Sequence, residues 1–169
     1  MENNYIEFDK LNKAHRDSIH LDEIYDLTHF NEEEINMVII IAVHKGKYVF
    51  SYNKKWQGWD IPGGAREVGE TVLESAKREL WEETGAVKFD IIAVTDCVTK
   101  STLPIPNRNR PGRLYLAEIH EFENINDQSE ITEIGFFNSA PDNLSWANAH
   151  RQIFEYVHQL RTNDKIEIR

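Results

Sequence analysis

The apolar positions of this chain change their period from segment to segment. Met37 to Val43 is an unbroken run of seven apolar residues rich in Val and Ile, which reads as a buried strand. His44 to Lys47 then supply a turn and Tyr48 to Tyr52 return, so a hairpin is expected. Pro62, Gly63 and Gly64 break regular structure just ahead of a strongly helical segment, Thr71 to Thr84. Thr71 with Glu74 three residues on forms a capping-box pattern, and Gly85 can take the left-handed conformation that stops a helix. Strand patterns follow over Val87 to Val98 and Arg113 to Phe122, separated by the Pro- and Asn-rich stretch Ser101 to Gly112, and Ile131 to Phe137 adds a short strand. From Trp146 to Leu160 the residues Trp146, Ile153, Val157 and Leu160 fall near one helical face. Residues 1–35 are polar, with Leu21, Ile24, Tyr25 and Phe30 loosely spaced, and read as an N-terminal extension packed on a domain formed by residues 36–169. Strands and helices mix without repeats, so the class is α/β or α+β.

Composition narrows this picture. A chain of 169 residues fits one domain. Its longest apolar run is far short of the roughly 20 residues that cross a bilayer. The start MENNYIEFDK lacks a secretory pattern and Cys97 is the single cysteine, which together lead to the expectation of a cytoplasmic protein. The net charge of −10 disfavours nucleic acid and anionic membranes as partners, so a small polyanionic substrate would need bridging cations. The oligomeric state stays open, a homodimer included.

The chemistry concentrates in GGAREVGETVLESAKRELWEETGAV, Gly63 to Val87. On a helix Glu79, Glu82 and Glu83 fall within an arc of roughly 100°, while Leu73, Ala76 and Leu80 form the neighbouring packing arc. Three crowded carboxylates repel unless cations lie between them, and hard oxygen donors suit Mg²⁺ or Mn²⁺. Taken alone, the three glutamates would equally describe a solvated helix face.

The whole segment resembles the box of the Nudix hydrolase family, with Gly64, Glu70, Arg78, Glu79, Leu80, Glu82, Glu83 and Gly85 at the fixed positions and Ala86 in the final apolar slot. Such a match arises by chance roughly once in 10⁹ at a given start with ordinary residue frequencies. The resemblance extends over about residues 36–160 and implies an α/β/α sandwich with a mixed sheet between helices. It implies Mg²⁺-dependent hydrolysis, with Mn²⁺ as the alternative metal, of a nucleoside diphosphate linked to another group. Glu79, Glu82 and Glu83 would ligate the metal together with the carbonyl of Gly63. Glu79 and Glu82 would carry catalysis with Arg78, which orients a carboxylate, and Glu70 would hold loop and helix together. A later carboxylate, Glu130 or Glu133, would join the site.

The substrate is less constrained. Asn143 to Asn148 is similar to a stretch of triphosphatases that remove oxidised guanine nucleotides, which would make Asn148 a reader of the purine edge; a helix-capping role fits the same residues. Lys100, Arg108, Arg110 and Arg113 make a locally basic segment suited to phosphates or simply to solvent, and Arg110 is taken as a substrate contact. Trp56 and Trp59 are either base-stacking or packing residues, and Cys97 is expected in a buried strand. Two other readings remain, an isopentenyl diphosphate isomerase of the same fold with Cys97 as its reactive thiol, and a nucleotide-sensing module without activity.

Overall fold

The structure, a computed structural model, describes residues 12–104, 109–126 and 129–168. In chain order its elements are α1 (Lys13–Ser18), β1 (Ile19–Tyr25), β2 (Met37–His44), β3 (Lys47–Asn53), β4 (Gly58–Asp60), β5 (Gly63–Ala65), α2 (Val72–Thr84), β6 (Ala86–Ser101), β7 (Arg110–Phe122), β8 (Ile131–Phe137) and α3 (Ala147–Thr162). Among these residues no helix is long and apolar enough to cross a membrane.

Strand β2 explains the layering. Val38, Ile40 and Ala42 turn to one face and meet Val72, Ala76 and Leu80 of α2, while Ile39, Ile41 and Val43 turn to the other and meet Ile153, Phe154 and Val157 of α3. A strand covered on both faces must be apolar at every position, which accounts for the unbroken run. Each such Val, Leu or Ile contributes about 1.5–3 kcal/mol through burial. The sheet has eight strands in the order β1-β6-β7-β2-β3-β4, with β5 paired to β2 and β8 to β3. Only β2 and β7 run parallel, from Met37 opposite Gly112 to Val43 opposite Glu118; the remaining pairings are antiparallel. This is the mixed-sheet α+β class that the sequence predicts.

Four local expectations are corrected. The polar N-terminal stretch contains α1 and β1, and β1 pairs along the end of β6 as an edge strand. The Pro-Gly-Gly turn is not wholly irregular, since Gly63–Ala65 pairs with Met37 to Ile39. The basic stretch before Arg113 is partly strand, because β6 and β7 extend toward each other as far as Thr99 opposite Arg110. Leu73 is exposed rather than packed, and Val72 takes its place against the sheet.

Both ends of α2 are fixed. Thr71 Oγ1 accepts from the Glu74 amide at 3.1 Å and the Glu74 carboxylate accepts from the Thr71 amide at 2.8 Å, a closed capping box. At the other end Gly85 has φ +74°, and a Cβ there would collide with the carbonyl of Glu123. A second tie reaches the first turn from outside: Glu32 Oε2 accepts from the Val72 amide at 3.1 Å, and Glu32 Oε1 accepts from Arg113 Nη1 at 2.7 Å. Arg113 also grips the buried Asp96 through Nε at 2.7 Å and Nη2 at 3.2 Å, and Asp96 accepts from the Phe30 amide at 3.1 Å. The hydrogen bonds from Asp96 raise the pKa of Arg113. Asp96→Ala would leave the Arg113 guanidinium buried without its main partner and should lower stability by about 3–5 kcal/mol. Urea unfolding checks this, and a loss under about 1 kcal/mol would show that the pair does not tie the loop to the sheet.

Candidate active site

The acidic stripe of α2 is organised by one guanidinium. Arg78 donates from Nε to Glu70 Oε1 at 2.5 Å and from Nη2 to Glu70 Oε2 at 3.1 Å. Its Nη1 donates to Glu79 Oε1 at 2.8 Å and Glu82 Oε2 at 3.3 Å, and Nη2 also reaches the carbonyl of Ala65 at 3.1 Å. A planar five-donor fork can hold strand, loop and helix in this way, where a lysine could not. The hydrogen bonds from Arg78 hold the Glu70 carboxyl down to about 2.

Glu79 and Glu83 behave in the opposite sense. Glu79 lies against Gly64, where a Cβ would occupy the position of the carboxylate, so a side chain there would displace the carboxylate from its place on the loop. Burial raises the Glu79 pKa, and Arg78 opposes that rise. Glu83 accepts from the Gly63 amide at 3.0 Å. Burial of its carboxyl group, reinforced by the charges of Asp60, Glu79 and Glu82, pushes its pKa well above the usual carboxylate range. Among the described residues no three His, Cys, Asp or Glu side chains converge on one point, because Glu79 and Glu82 are both turned onto Arg78. The donor set nevertheless suits a hard divalent cation: oxygen ligands, an excess of negative charge, and a buried carboxylate that a cation would keep ionised.

Glu83 borders a cavity of about 210 Å³ lined also by Gly63 and Gly64 together with Asp60, Trp56 and Trp146. Asp60 is 6% exposed. Its Oδ2 accepts from Asn53 Nδ2 at 3.1 Å, while its buried Oδ1 makes no hydrogen bond among the described residues. Burial pushes Asp60 up to about 6, held back by Ser145, Asn53 and Arg16. The other end of the Asn53 amide accepts from the backbone N–H groups of Lys55 at 3.0 Å and Trp56 at 3.2 Å, so one side chain fixes both the acid and the start of the indole wall. His150 Nδ1 accepts from the Ile61 amide at 3.3 Å, and burial lowers its pKa to about 3, which keeps the ring neutral.

The residues singled out in the sequence divide clearly. Glu79 and Glu82 meet on Arg78, with Glu79 against Gly64, and Glu83 meets the Gly63 amide, without a common centre for the three carboxylates. Of the two later acids, Glu130 lines the cavity and pairs with Lys55 at 3.7 Å, whereas Glu133 sits on β8 opposite Tyr52. Trp56 lines the cavity and Trp59 packs on Tyr52 and Phe137 in the core. Asn148 is not brought to the cavity. Helix α3 turns Ala149, His150 and Ile153 inward, and the exposed Asn148 amide donates to the carbonyl of Asp17 at 2.5 Å; the N-cap position belongs to Trp146. Arg110 opens β7 opposite Thr99, outside the cavity lining. Lys100 pairs with Asp22 at 2.7 Å, Arg113 is buried on Asp96, and Arg108 lies outside the described residues. Cys97 is fully buried in the core, where its thiol pKa is pushed up to about 12, so the reactive thiol of the isomerase reading has no support. Sequence reasoning missed Asp60, Asn53, His150 and Arg16; Asp60, lying just before the IPGG turn, carried the one local signal that could have found it.

A family model, the NUDIX domain, matches residues 30–157. An RNA pyrophosphohydrolase of a Psychrobacter species is 34% identical over 71 residues, a stretch that covers 41% of this chain and 41% of that protein. A pyrophosphohydrolase of Bacillus subtilis superposes with a TM-score of 0.66 at 22% identity, over 87% of this chain and 89% of the other. The Nudix domain of NrtR from Shewanella oneidensis, solved in complex with ADP-ribose, superposes with a TM-score of 0.56 at 14% identity, over 82% of this chain and 93% of the other.

Asp60 gives the site a pH signature. Its folded pKa of about 6 lies above the 3.8 of an unperturbed aspartate, so the folded form holds the extra proton between those values. The contribution of Asp60 is therefore fully present below about pH 4 and lost as pH rises through about 6. Asp60→Asn should gain about 2–3 kcal/mol on the wild type between pH 4 and pH 7 in chelator-treated protein. His150 slopes in the opposite sense but is common to both proteins and cancels in the difference. Urea unfolding at the two pH values reads the effect, and an unchanged difference would mean that Asp60 titrates as an ordinary acid.

Proposed function

The chain belongs to the Nudix family, and from that premise we propose that it is a pyrophosphohydrolase cleaving a phosphoanhydride bond in the 5′-polyphosphate of a nucleotide. The observation that carries this reading is the position of Glu83, one helical turn from Glu79 and next to Glu82, on a cavity whose lining includes Trp56 and Trp146. A nucleotide has the matching form, a dense anionic chain joined to a flat ring. The chain covers 41% of the length of the RNA pyrophosphohydrolase it matches, so the activity of that relative supports the reading by analogy.

Nudix hydrolases generally use divalent metals, and here Glu79, Glu82, Glu83 and the carbonyl of Gly63 would hold Mg²⁺, with Mn²⁺ as the alternative. When bound, the cation supplies charge neutralisation at the phosphates and activates water. The protein's own part is positional. Arg78 holds Glu79 and Glu82 in a fixed relation to the loop through Glu70, and the two carboxylates would turn from the guanidinium toward a bound cation. The Gly63 amide holds the Glu83 carboxylate at the cavity wall. Glu130, on the same lining, would take a proton from the attacking water. The cavity walls hold the ring end, so binding energy is spent on alignment of the phosphate chain.

The same bond at the 5′ end of an RNA is the second reading, favoured by the Psychrobacter relative. The net charge of −10 favours the free nucleotide, because a long RNA backbone would meet an acidic surface. Nucleoside triphosphates and a triphosphate-ended RNA incubated with Mg²⁺, with products identified, separate the two. Glu83→Gln should lower kcat by at least about 100-fold. The chelated variant should melt at the same temperature or higher, because a source of repulsion is gone. Full activity in Glu83→Gln with metal still required would remove Glu83 from the reaction, and no turnover of any nucleotide by the wild type would overturn the function.

A further inference from the structure

Residues 12–25 precede the region matched by the family, which begins at residue 30. They are nevertheless built into the cavity wall. Ile19 lines the cavity, is 4% exposed, and forms a small apolar cluster with Ala149 and Trp146. The Arg16 side chain, 7% exposed, donates from Nε to the carbonyl of Ser145 at 3.1 Å and lies over the Trp56 ring, with Cζ 4.3 Å from the centroid. Lys55 Nζ lies 4.7 Å from the same ring. Gln152 accepts from the Leu21 amide at 2.9 Å and Asn148 donates to Asp17, so α1 and β1 are fastened to α3 at several points. A cation withdrawn from water is costly unless it does something with its charge, and here the charge is placed on an indole face and near Asp60.

We propose that residues 12–25 form part of the substrate site and that Arg16 is its specificity-setting residue, a positioning residue that holds the Trp56 indole as the wall against which the nucleotide's base packs. This rests on the nucleotide reading above and deepens it: Arg16 governs affinity for the base and leaves the phosphate end alone. The physical reason is separation of duties. The phosphates face the carboxylate group organised by Arg78, while the part of the lining that Arg16 touches is aromatic.

The test compares calorimetric binding of the four nucleoside 5′-monophosphates with binding of ribose 5-phosphate, which has the phosphate and sugar but no base. The wild type should bind at least one nucleotide about tenfold or more tighter than ribose 5-phosphate. Arg16→Ala should remove most of that advantage while the affinity for ribose 5-phosphate stays within about twofold, and Arg16→Lys should restore part of it through the retained charge. Trp56→Ala should reproduce the loss, which keeps the test readable if Arg16→Ala folds poorly. Asn148→Ala, which cuts another tie between α1 and α3 without touching Trp56, should keep the advantage. Equal loss in Asn148→Ala and Arg16→Ala would reduce Arg16 to general support of α1 and overturn the inference. So would a wild type that shows no preference for nucleotides over ribose 5-phosphate, even if it hydrolyses nucleotides. Base-dependent binding sensitive to Arg16, in a protein that turns over no nucleotide, would instead uphold the inference and remove the hydrolase function.

Discussion

The site depends on crowding carboxylates that repel one another, and Arg78 is what makes the crowding tolerable before any metal arrives. Its guanidinium touches Glu70, Glu79, Glu82 and the carbonyl of Ala65, so one side chain offsets negative charge on the helix and fixes the strand and loop against it. Glu83 gets no such relief. Its partner is the Gly63 amide and its carboxyl is buried beside Asp60, so burial and neighbouring acids favour its uncharged form at one wall of the cavity. A cation bound at this wall would keep the carboxylate ionised and stabilise the folded form in proportion to its occupancy.

This arrangement needs a rigid α2, and the fold provides it from both ends and from below. The capping box and the left-handed Gly85 set where the helix begins and stops, and Val72, Ala76 and Leu80 fix its rotation on the sheet. Rotation matters because Glu79 and Glu83 sit on the same helix face one turn apart, next to the apolar stripe. The bond from Glu32 to the Val72 amide joins the helix start to Arg113 and Asp96 inside the sheet, so the acidic stripe is referenced to the core rather than to a surface loop.

What was legible in the sequence is what depends on local order. The unbroken apolar run became β2, Thr71 with Glu74 became the cap, and the spacing of Arg78, Glu79, Glu82 and Glu83 became the acidic stripe. The second half of the site was not legible because it is made by contacts between distant segments. Asp60 acquires its character from burial beside Asn53, and Arg16 from an indole forty residues away in the chain. Strand β1 alternates only weakly, with a bulge between Leu21 and Glu23, so its period could not announce it. Asn148 failed to reach the cavity through helical phase: α3 starts at Ala147 after Trp146 as N-cap, and the inward positions fall to Ala149 and His150. Arg113 carried a charge that composition assigns to the surface, yet the fold spends it on a buried acid.

The parallel pairing of β2 with β7 has a consequence for how the protein comes into being. Every other ladder in the sheet is antiparallel, but this central one closes only when Gly112 meets Met37, with the hairpin, the glycine turn, α2 and β6 all lying in the chain between them. Loop closure of that kind is entropically slow to achieve, although its cost grows only gradually with loop length. During synthesis the α2 segment emerges, with its capping residues and its carboxylates, well before the strand that will hold β2 in place. The carboxylates are thus synthesised before they are gathered, because a helix of this length is marginal alone and its packing face closes only once β7 has joined β2.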